Sequence, residues 1–578
     1  MPDTFHSSVL SSCSHKTMAF QNEINICIGG EAGQGLITLG DLLAKSLVRS
    51  GFNIMATQDY MSRIRGGHNT FAIRAGSGQI EAPRESIDML VALNKETVLV
   101  HRSQLSPHAL ILTDDVNGAP AELCLLVPYK DFGAGKFENI AALGVVAALV
   151  GIDKAMAAET LRQSFGKESE LLDQNLTVFS AGWNWAASQE AHGLFVLPAV
   201  KNKTKRIMLN GNDAIVLGAL SAGLKFCAFY PMTPATSIPQ TFAKYDRDFN
   251  LVVEQAEDEI AAVNMAIGAS FCGAPSMVTT SGGGFALMVE GVSLAGMTET
   301  PVVILVGQRP GPATGLPTRT EQADLDFVLH AGHGEFPRAI YAPGSVEECY
   351  WLTREAFAVA ERFQGPVFIL TDQFLADSYR AVLPFVLKER PDRQVPSEKI
   401  NLPYRRFAFT DTGVSPRLLP GMSEHLVVAD SDEHTEDGHI TEDLGIRKRM
   451  VEKRQNKLLG IVSRVIPPEF DGDDPPELLL ISWGSAKGAV REAALIKKAE
   501  GLKVGTLHFR QVWPLVPDHF LKHLKSAAKV VCVESNATGQ FARLIRRECG
   551  FEIPFHVRRY DGLPFTPEYI LRNLHYDG

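Results

Sequence analysis

Short apolar runs alternate with helix-like stretches along most of this chain. Residues 22–28, "NEINICI", predict a strand, and a glycine turn and an amphipathic helix follow it. The alternation continues to about residue 190 and predicts one α/β domain at 21–199. Between 207 and 390, the runs "KFCAFY", "NLVVE", "SMVTT", "PVVILVG" and "PVFILT" predict strands buried on both faces. We therefore expect a parallel sheet covered by helices there.

The pattern changes after residue 390. Residues 391–460 are rich in Pro and in charged residues, which predicts a connecting segment, and "KRMVEKRQNK" within it predicts a solvated helix. The runs "ELLLISWGS", "LKVGTLHF", "AKVVCVES" and "FEIPFHV" then predict a smaller α/β domain at 461–578. Residues 1–20 are predicted to form a disordered tail, so the predicted fold class is multidomain α/β.

The charge, the apolar stretches and the cysteine spacing of the chain argue against several classes of function. The 578 residues carry a net charge of −10 without a basic cluster, which argues against nucleic acid as a partner. The longest apolar stretch, Ile140 to Ile152, is about 13 residues and too short to span a membrane. None of the 8 cysteines forms a C-x-x-C pair. This argues against an iron–sulfur cluster or a metal held by this chain alone, and favours a reducing cytoplasm.

Two N-terminal motifs could bind an anion. Gly30, Gly33 and Gly35 lie between a predicted strand and helix, where backbone amides can hold a phosphate, although a tight turn explains them equally well. Arg63 and Arg65 in "SRIRGGHN" could contact an anion such as a CoA phosphate. The alternative for this second motif is a surface loop or a subunit contact.

A carboxylate and a glycine run are candidates for cofactor chemistry. Glu259 directly precedes the apolar run "IAAVNMAIGA", where a buried carboxylate is costly unless it has a partner. A heterocycle nitrogen is one such partner. Gly282, Gly283 and Gly284 follow a strand and would let a ligand approach the backbone, although helix–sheet packing is the alternative.

Two more loops follow predicted strands. "YPMTP" contains Tyr230, and its prolines Pro231 and Pro234 bracket Thr233. The loop "GQRPGPATGLPTRTEQADL", 307–325, also follows a strand, and it contains the polar residues Arg309, Thr318 and Arg319. Because the carboxyl ends of parallel strands share one sheet edge, these loops are expected to converge with the glycine run on one crevice.

Several motifs, in this order, resemble the alpha subunit of 2-oxoacid:ferredoxin oxidoreductases: "YPMTPATS", "EQAEDEIAA", "TTSGGGFALMVEG" and "QRPGPATGLPTRTEQADL". "GGEAGQG" and "SRIRGGHN" resemble the gamma domain of the same enzymes, and the order matches the fused gamma–alpha form. The resemblance implies a gamma domain at 21–199 and a thiamine-diphosphate pyrimidine-binding-type domain at 207–390. It also implies a transketolase C-terminal-like domain at 461–578.

The resemblance implies oxidation of a 2-oxoacid with CoA to acyl-CoA and CO2, with ferredoxin as electron acceptor, or the reverse carboxylation. The fused form favours 2-oxoglutarate, and pyruvate, branched-chain oxoacids and indolepyruvate stay open. The chain lacks the family's G-D-G motif. A separate beta subunit is therefore expected to hold the diphosphate of a shared thiamine diphosphate, Mg2+ and a [4Fe–4S] cluster, in an (alpha–beta)2 heterotetramer.

The resemblance also implies residue roles. Glu259 would contact the aminopyrimidine of thiamine, beside Gly283 and Gly284. Thr233 would hydrogen-bond the substrate, and the fork-shaped guanidinium of Arg309 would bind its carboxylate. The other substrate-pocket residues are Tyr230, Pro231, Pro234 and Thr318. Arg319 would serve a distal carboxylate or is a surface charge.

Two other classes of function remain as alternatives. A nucleotide-dependent dehydrogenase could be built on the N-terminal glycine loop, although the glycine spacing and the missing ribose-binding acid argue against it. A non-catalytic scaffold subunit is the other. If Glu259 and Arg309 are dispensable in the assembled complex, catalysis lies elsewhere.

Overall fold

The computed structural model describes residues 22–61, 67–115, 124–133, 137–165, 170–201, 204–390 and 403–575. The chain forms two compact units. The first contains the described residues up to Leu209 together with Ser378–Phe385. The second contains Asn210–Asp377 and the described residues from Val386 onward. The predicted tail at 1–20 and the connecting residues 391–402 lie outside the described residues.

The first unit is built on a mixed sheet. Its strands are β1 (Glu23–Glu31), β2 (Asn53–Asp59), β3 (His68–Gly76), β4 (Ile87–Ala92), β5 (Leu105–Thr113), β6 (Cys124–Leu126), β7 (Ile207–Leu209) and β14 (Tyr379–Val382). Its helices are α1 (Leu36–Arg49), α2 (Lys95–His101), α3 (Glu138–Leu149), α4 (Lys154–Phe165) and α5 (Glu170–Ala187). The strand order is β6-β5-β4-β1-β3-β2-β14-β7. The predicted strand and amphipathic helix at the start of this unit are confirmed by β1 and α1.

Two boundaries of the predicted second domain differ from the structure. β14 pairs antiparallel with both β2 and β7, so residues 207–209 and 378–385 belong to the first unit. The chain thus returns to the first sheet directly after β13 and α13, before it forms the remaining strands of the second unit. Pairing between strands distant in sequence leaves no signal in local hydrophobic periodicity, which is why the sequence placed both segments in the second domain.

The second unit contains two sheets. Its strands are β8 (Phe226–Phe229), β9 (Val252–Gln255), β10 (Ser276–Ser281), β11 (Val302–Gln308), β12 (Ala339–Tyr341), β13 (Pro366–Asp372), β15 (Glu469–Gly472), β16 (Leu478–Trp483), β17 (Val504–Phe509), β18 (Gln511–Trp513), β19 (Lys529–Glu534) and β20 (Phe555–Arg558). Its helices up to the connecting segment are α6 (Gly211–Ala222), α7 (Ser237–Lys244), α8 (Asp246–Phe249), α9 (Glu259–Phe271), α10 (Gly282–Met297), α11 (Leu325–His330), α12 (Val346–Phe363) and α13 (Gln373–Asp377). The remaining helices are α14 (Leu444–Val462), α15 (Lys487–Ala499), α16 (Leu521–Ser526), α17 (Gln540–Cys549) and α18 (Pro567–Arg572).

The larger sheet has the order β18-β12-β13-β11-β10-β8-β9, and all of its pairs are parallel except β12 with β18. The central strands β10, β11 and β13 are buried along their whole length. The predicted parallel sheet is therefore confirmed, and its central strands are buried on both faces. The prediction of double burial is wrong for "NLVVE", because β9 is the last strand of the sheet and Val252 is 55% exposed. Its carboxyl edge carries the loops that follow β8, β10 and β11.

The smaller sheet has the order β15-β17-β16-β19-β20. Its core side chains, among them Leu479 and Phe509, belong to the same apolar cluster as Ile304 and Phe368 of the larger sheet. β18 also pairs with β12 of the larger sheet. The α/β segment predicted at 461–578 thus forms its own sheet but shares one core with the preceding domain.

The helix predicted from "KRMVEKRQNK" is present as α14, but the prediction that it is solvated is wrong. Lys453, Arg454 and Lys457 are each at most 3% exposed. Lys453 Nζ lies 2.6 Å from an oxygen of the fully buried Glu299, and Lys457 pairs with the other oxygen. Charged residues are buried here because each has an opposite charge beside it. Among the described residues, no helix is both long and apolar enough to cross a membrane.

Candidate active site

The first component of the site is a carboxylate at the start of a helix. The side chain of Asp258 caps α9 by accepting a hydrogen bond from Ala261 N at 2.7 Å. This cap fixes the next residue, Glu259, in the first turn, where its side chain points into the protein and is 3% exposed. Glu259 Oε1 is buried and has no hydrogen-bond partner among the described residues. An unsatisfied buried carboxylate oxygen is costly and indicates a ligand.

The second component is the glycine start of α10. A Cβ on Gly284 would collide with Glu259 Oε1 and Thr280 Oγ1, and it would lie 2.9 Å from Glu259 Cδ. A Cβ on Gly282 would lie 2.5 Å from Asp324 Oδ2. The sequence predicts that these glycines admit a ligand. In the structure, the groups that approach Gly282 and Gly284 are carboxylates of the same chain.

The third component of the site is Arg309, whose side chain joins the two loops that the sequence predicts to converge. Arg309 directly follows β11, is 9% exposed, and donates from Nη1 to the carbonyl oxygen of Thr233 at 2.8 Å. Its Nε is buried and has no partner among the described residues. Burial lowers the pKa of Arg309, and the negative charge of Asp324 opposes that shift. The guanidinium therefore still has donors for an anionic ligand.

The Thr233 loop is held rigidly from two sides. Pro234 packs over Gly307, whose Cβ would lie 3.0 Å from Pro234 Cγ. Asn212 Nδ2 donates to the carbonyl of Pro234 at 2.9 Å and to Ser237 Oγ at 2.8 Å. Two fixed neighbours order the loop before any ligand binds, which lowers the entropic cost of binding.

Two acidic residues that interact with each other, Glu321 and Asp324, lie in the same loop as Arg309, and Asp324 interacts with the Arg309 guanidinium. Burial raises the pKa of Asp324 to about 6, and the positive charge of Arg309 opposes the rise. Burial, and then the nearby Asp324, raises the pKa of Glu321 to about 7. Asp324 Oδ2 has no hydrogen-bond partner among the described residues. Asp324 was not among the residues predicted from sequence, although it lies in the same loop, 307–325, as Arg309.

The loop after Arg309 is clamped by Gln322. Its backbone N–H donates to Ser535 O at 2.6 Å, and its side chain donates to Trp483 O at 3.0 Å and accepts from Ser535 N at 3.0 Å. Gln308 Oε1 accepts from Asp324 N at 3.0 Å. Both sheets of the second unit thus fix the segment that contains Arg309 and Asp324.

Both units of the chain match known protein families, and its sequence is similar to that of known enzyme subunits. Residues 217–453 match the family described as "Pyruvate flavodoxin/ferredoxin oxidoreductase, thiamine diP-bdg". Residues 25–185 match the family "Pyruvate ferredoxin/flavodoxin oxidoreductase". The 2-oxoacid:ferredoxin oxidoreductase subunit alpha of Sulfolobus sp. is 30% identical, over 93% of this chain and 94% of the relative.

This chain belongs to the 2-oxoacid:ferredoxin oxidoreductase alpha-subunit family. The 2-oxoglutarate oxidoreductase subunit KorA of Mycobacterium tuberculosis is also 30% identical, over 95% of this chain and 90% of the relative. A solved 2-oxoglutarate:ferredoxin oxidoreductase from Magnetococcus marinus, with 2-oxoglutarate, coenzyme A and succinyl-CoA bound, matches with a TM-score of 0.89 and 31% identity. That match covers 96% of this chain and 99% of the other. The resemblance and the fold class predicted from sequence are confirmed, and the dehydrogenase alternative is not supported.

The residues of this alpha subunit fit thiamine diphosphate. The family profile over 217–453 is a thiamine-diphosphate-binding one, and it includes Glu259 and Gly284. The unpartnered Glu259 Oε1 offers an acceptor to a protonated heterocycle nitrogen. Because Gly284 has no side chain, this oxygen lies directly against the helix backbone.

The remaining site residues that the sequence predicts differ in how deeply they are buried. Tyr230 and Pro231 are exposed at the edge of the Thr233 loop, and Thr318 is half-buried. Arg319 packs against Gly562, whose Cβ would lie 3.1 Å from Arg319 Cβ. Gly283 is exposed, and the nearest atom to its Cβ position is Ala313 O at 3.6 Å.

The predicted anion motifs belong to the first unit. Gly33 and Gly35 have φ angles of 99° and 72°, which favour glycine, and the Cβ position of Gly30 lies 2.7 Å from Gln34 Oε1. Gln34 accepts from Glu31 N at 2.7 Å and donates to Leu93 O at 3.0 Å, so the turn is closed by its own side chain. Arg63 and Arg65 lie outside the described residues.

Proposed function

We propose that this chain is the alpha subunit of a 2-oxoglutarate:ferredoxin oxidoreductase. The reaction converts 2-oxoglutarate and CoA to succinyl-CoA and CO2 and transfers two electrons to ferredoxin, and it could also run as the reverse carboxylation. One observation carries the proposal. The buried Glu259 carboxylate, which has an unpartnered oxygen, lies against Gly284 at the start of α10, and Asp324, which lies against Gly282 of the same start, interacts with the buried Arg309 guanidinium, whose Nε is also unpartnered among the described residues.

Thiamine diphosphate, when bound, supplies the nucleophilic carbon and the electron sink for decarboxylation. Glu259 Oε1 would hold the proton shared with the aminopyrimidine nitrogen. The exposed Gly283 would leave room for the ring, and Gly284 admits the Glu259 carboxylate beside it. Thr280 Oγ1 also lies close to the Gly284 Cβ position and restricts where the carboxylate can move. Burial of Glu259 excludes water that would otherwise compete for this hydrogen bond.

Arg309 would bind the 2-oxoacid carboxylate with the donors that Thr233 O leaves free. Its contact with the Thr233 carbonyl aligns the guanidinium with the loop whose hydroxyl would hydrogen-bond the substrate. Tyr230, Pro231, Pro234 and Thr318 would complete the wall of the pocket. Arg319 is the candidate for the distal carboxylate of 2-oxoglutarate, which pyruvate lacks. The names of the KorA relative and of the solved structure support this substrate.

The assembly is also part of the proposal. A separate beta subunit would hold the diphosphate, Mg2+ and a [4Fe–4S] cluster, in a cytoplasmic (alpha–beta)2 heterotetramer that reduces ferredoxin. The start of α1, with Gly30, Gly33 and Gly35, is a candidate for a CoA phosphate because its amide donors begin a helix without a side-chain cap. Arg63 and Arg65 are the other predicted CoA contacts.

The test is anaerobic purification of the tagged chain from its host, followed by CoA-dependent viologen reduction with a panel of 2-oxoacids. We expect a smaller iron-containing subunit to co-purify and 2-oxoglutarate to give the highest kcat/KM. Glu259→Gln should abolish turnover while assembly survives. Activity of that variant at the wild-type rate would contradict the cofactor role and would favour a scaffold subunit.

Substrate recognition is tested by two arginine variants. Arg309→Lys keeps the positive charge but loses the fork-shaped set of donors that can bind a carboxylate through two hydrogen bonds. It should lower kcat/KM on the order of 100-fold for every 2-oxoacid. Arg319→Ala should lower kcat/KM for 2-oxoglutarate and leave kcat/KM for pyruvate unchanged. Equal losses for both substrates in the second variant would contradict the distal-carboxylate role.

A further inference from the structure

Asp324 lies between two parts of the candidate active site. Its carboxylate packs against the start of α10, since a Cβ on Gly282 would lie 2.5 Å from Asp324 Oδ2 and 2.7 Å from Oδ1. Its negative charge acts on Arg309, which follows β11. The Asp324 backbone N–H donates to Gln308 Oε1 at 3.0 Å, which holds the residue in this position. Asp324 therefore affects the charge of the surroundings in which Arg309 would bind a substrate.

Asp324 does not use up the donors of Arg309. Asp324 Oδ2 and Arg309 Nε are both buried, and neither has a hydrogen-bond partner among the described residues. The guanidinium is 9% exposed and donates from Nη1 to the carbonyl oxygen of Thr233 at 2.8 Å. A substrate carboxylate that accepts from its remaining donors would share one positive charge with Asp324. Neighbouring carboxylates in a buried site oppose each other's ionisation.

Most of the charge on the surrounding elements is negative. The charged residues of the same loop and of the neighbouring elements include Glu321, Arg319, Glu259 of α9, Asp326 of α11, Asp372 of β13, Glu534 of β19 and Arg543 of α17. Arg543 pairs with Asp326 at 3.2 Å, and Arg319 packs against Gly562. A substrate carboxylate therefore adds negative charge to a region in which acids already outnumber bases.

We propose that a 2-oxoacid binds at Arg309 together with one proton, which Asp324 takes up from solvent, an inference that rests on the proposed function. The substrate carboxylate brings one negative charge and the proton brings one positive charge, so the net charge beside Arg309 stays constant. When that carboxylate leaves as CO2, the cause of the protonation is removed and Asp324 returns the proton to solvent. Asp324 acts through Arg309 and is therefore a positioning residue.

The direction of the pH dependence follows from the site without substrate. Burial raises the pKa of Asp324 to about 6, so this carboxylate is ionised at pH 8 before substrate binds. A carboxylate bound at Arg309 raises that pKa further, because it adds a second negative charge and occupies the guanidinium. Substrate binding is therefore strongest below pH 6, where Asp324 is already protonated, and it weakens as the pH rises.

The test is the pH dependence of viologen reduction by the purified complex, with 2-oxoglutarate as substrate and saturating CoA. The value of kcat/KM reports ionisation of the free site, and kcat reports ionisation of the site with substrate bound. From pH 6.5 to pH 8.5, we expect KM of wild type to rise about tenfold or more, and kcat to change by less than about threefold. In Asp324→Asn, KM should stay constant over this range. Its kcat/KM at pH 8.5 should equal or exceed that of wild type.

Glu321→Gln is the matched control. Glu321 lies in the same loop and interacts with Asp324, but the charge that acts on Arg309 is that of Asp324. The control should therefore keep the rise in KM that wild type shows. A merely structural role of Asp324 predicts a different result, in which Asp324→Asn loses kcat/KM equally at every pH and keeps the pH dependence.

Several results would overturn the inference. A KM of wild type that does not change with pH would do so without any variant, and it would leave the proposed function standing. The same rise in KM in Asp324→Asn as in wild type would exclude Asp324 as the proton acceptor. Loss of the rise in Glu321→Gln alone would assign the proton to Glu321. If wild type oxidises no 2-oxoacid at any pH, the proposed function itself fails.

Discussion

The substitution Gly284→Ala tests the site with one methyl group. The added Cβ would overlap Glu259 Oε1 and Thr280 Oγ1 and would lie 2.9 Å from Glu259 Cδ. Normal carbon contacts are about 3.5 to 4.0 Å, so the carboxylate must move by roughly 1 Å. Thr280 is fully buried and cannot make room easily. The substitution therefore displaces Glu259 without removing it.

The effects on stability and on activity differ in size. Overpacking a buried position lowers the free energy of unfolding by about 1 to 3 kcal/mol. The higher helix propensity of alanine over glycine offsets about 1 kcal/mol of that loss. The free energy of unfolding should therefore fall by only about 0 to 2 kcal/mol. A misplacement of roughly 1 Å in a catalytic group can lower the rate on the order of 100-fold. We expect this larger loss in kcat, with a small change in Tm.

The control is Gly291→Ala on the same helix. A Cβ there would lie 2.6 Å from Val263 Cγ1, so it also overpacks the contact between α10 and α9, but against an apolar side chain. Thermal unfolding should show similar losses for both variants. CoA-dependent viologen reduction should fall on the order of 100-fold for Gly284→Ala and by less than about threefold for Gly291→Ala.

One pattern of results would refute this reasoning. If Gly284→Ala retains wild-type kcat while its Tm falls as expected, the position of Glu259 does not matter to catalysis. If both variants lose activity in proportion to their stability, the α9–α10 packing and not the carboxylate explains the loss.

Two further predictions concern buried charges. Burial lowers the pKa of Lys457 to about 7, despite its pairing with Glu299, so wild type should gain stability from pH 6 to pH 9 as the folded lysine loses its proton and the unfolded lysine keeps it. Lys457→Met should lack this gain, so its Tm should fall relative to wild type over that range. Lys448→Met, 79% exposed on the same helix, is the control, and a Tm difference between Lys457→Met and wild type that stays constant from pH 6 to pH 9 would contradict the assigned pKa. Burial raises the pKa of Asp324 to about 6, so above pH 6 the folded state holds an ionised carboxylate at a cost that the unfolded state lacks. Asp324→Asn should therefore raise Tm more at pH 8 than at pH 5. An equal gain at both pH values would contradict the assigned pKa.

Much of the fold could be predicted from sequence because it is encoded locally. The runs that became β10, β11 and β13 are apolar throughout, since these strands are covered on both faces. Thr233 and Arg309 could be predicted to meet because both follow parallel strands, whose carboxyl ends share an edge. Glu259 could be singled out because a carboxylate directly precedes an apolar helix.

Other features depend on contacts that local patterns do not encode. Asp324 was missed because its importance comes from its place beside Arg309 of the same loop and beside Gly282 of α10, which the folded path of the loop decides and no local pattern encodes. The buried lysines of α14 were predicted to be solvated, because their partner Glu299 lies about 150 residues earlier in the chain, at the end of α10.

The sequence by itself determined the fold class, the family resemblance and the loops that form the site. Those depend on periodicity and on motifs within single segments. Tertiary structure alone decided that β14 joins the first sheet, that Gly284 faces the Glu259 carboxylate, and that α9 and α10 leave an apolar face uncovered. The first is a pairing between segments distant in sequence, and the other two depend on how successive helices pack. The energy of each depends on burial and distance in the folded chain.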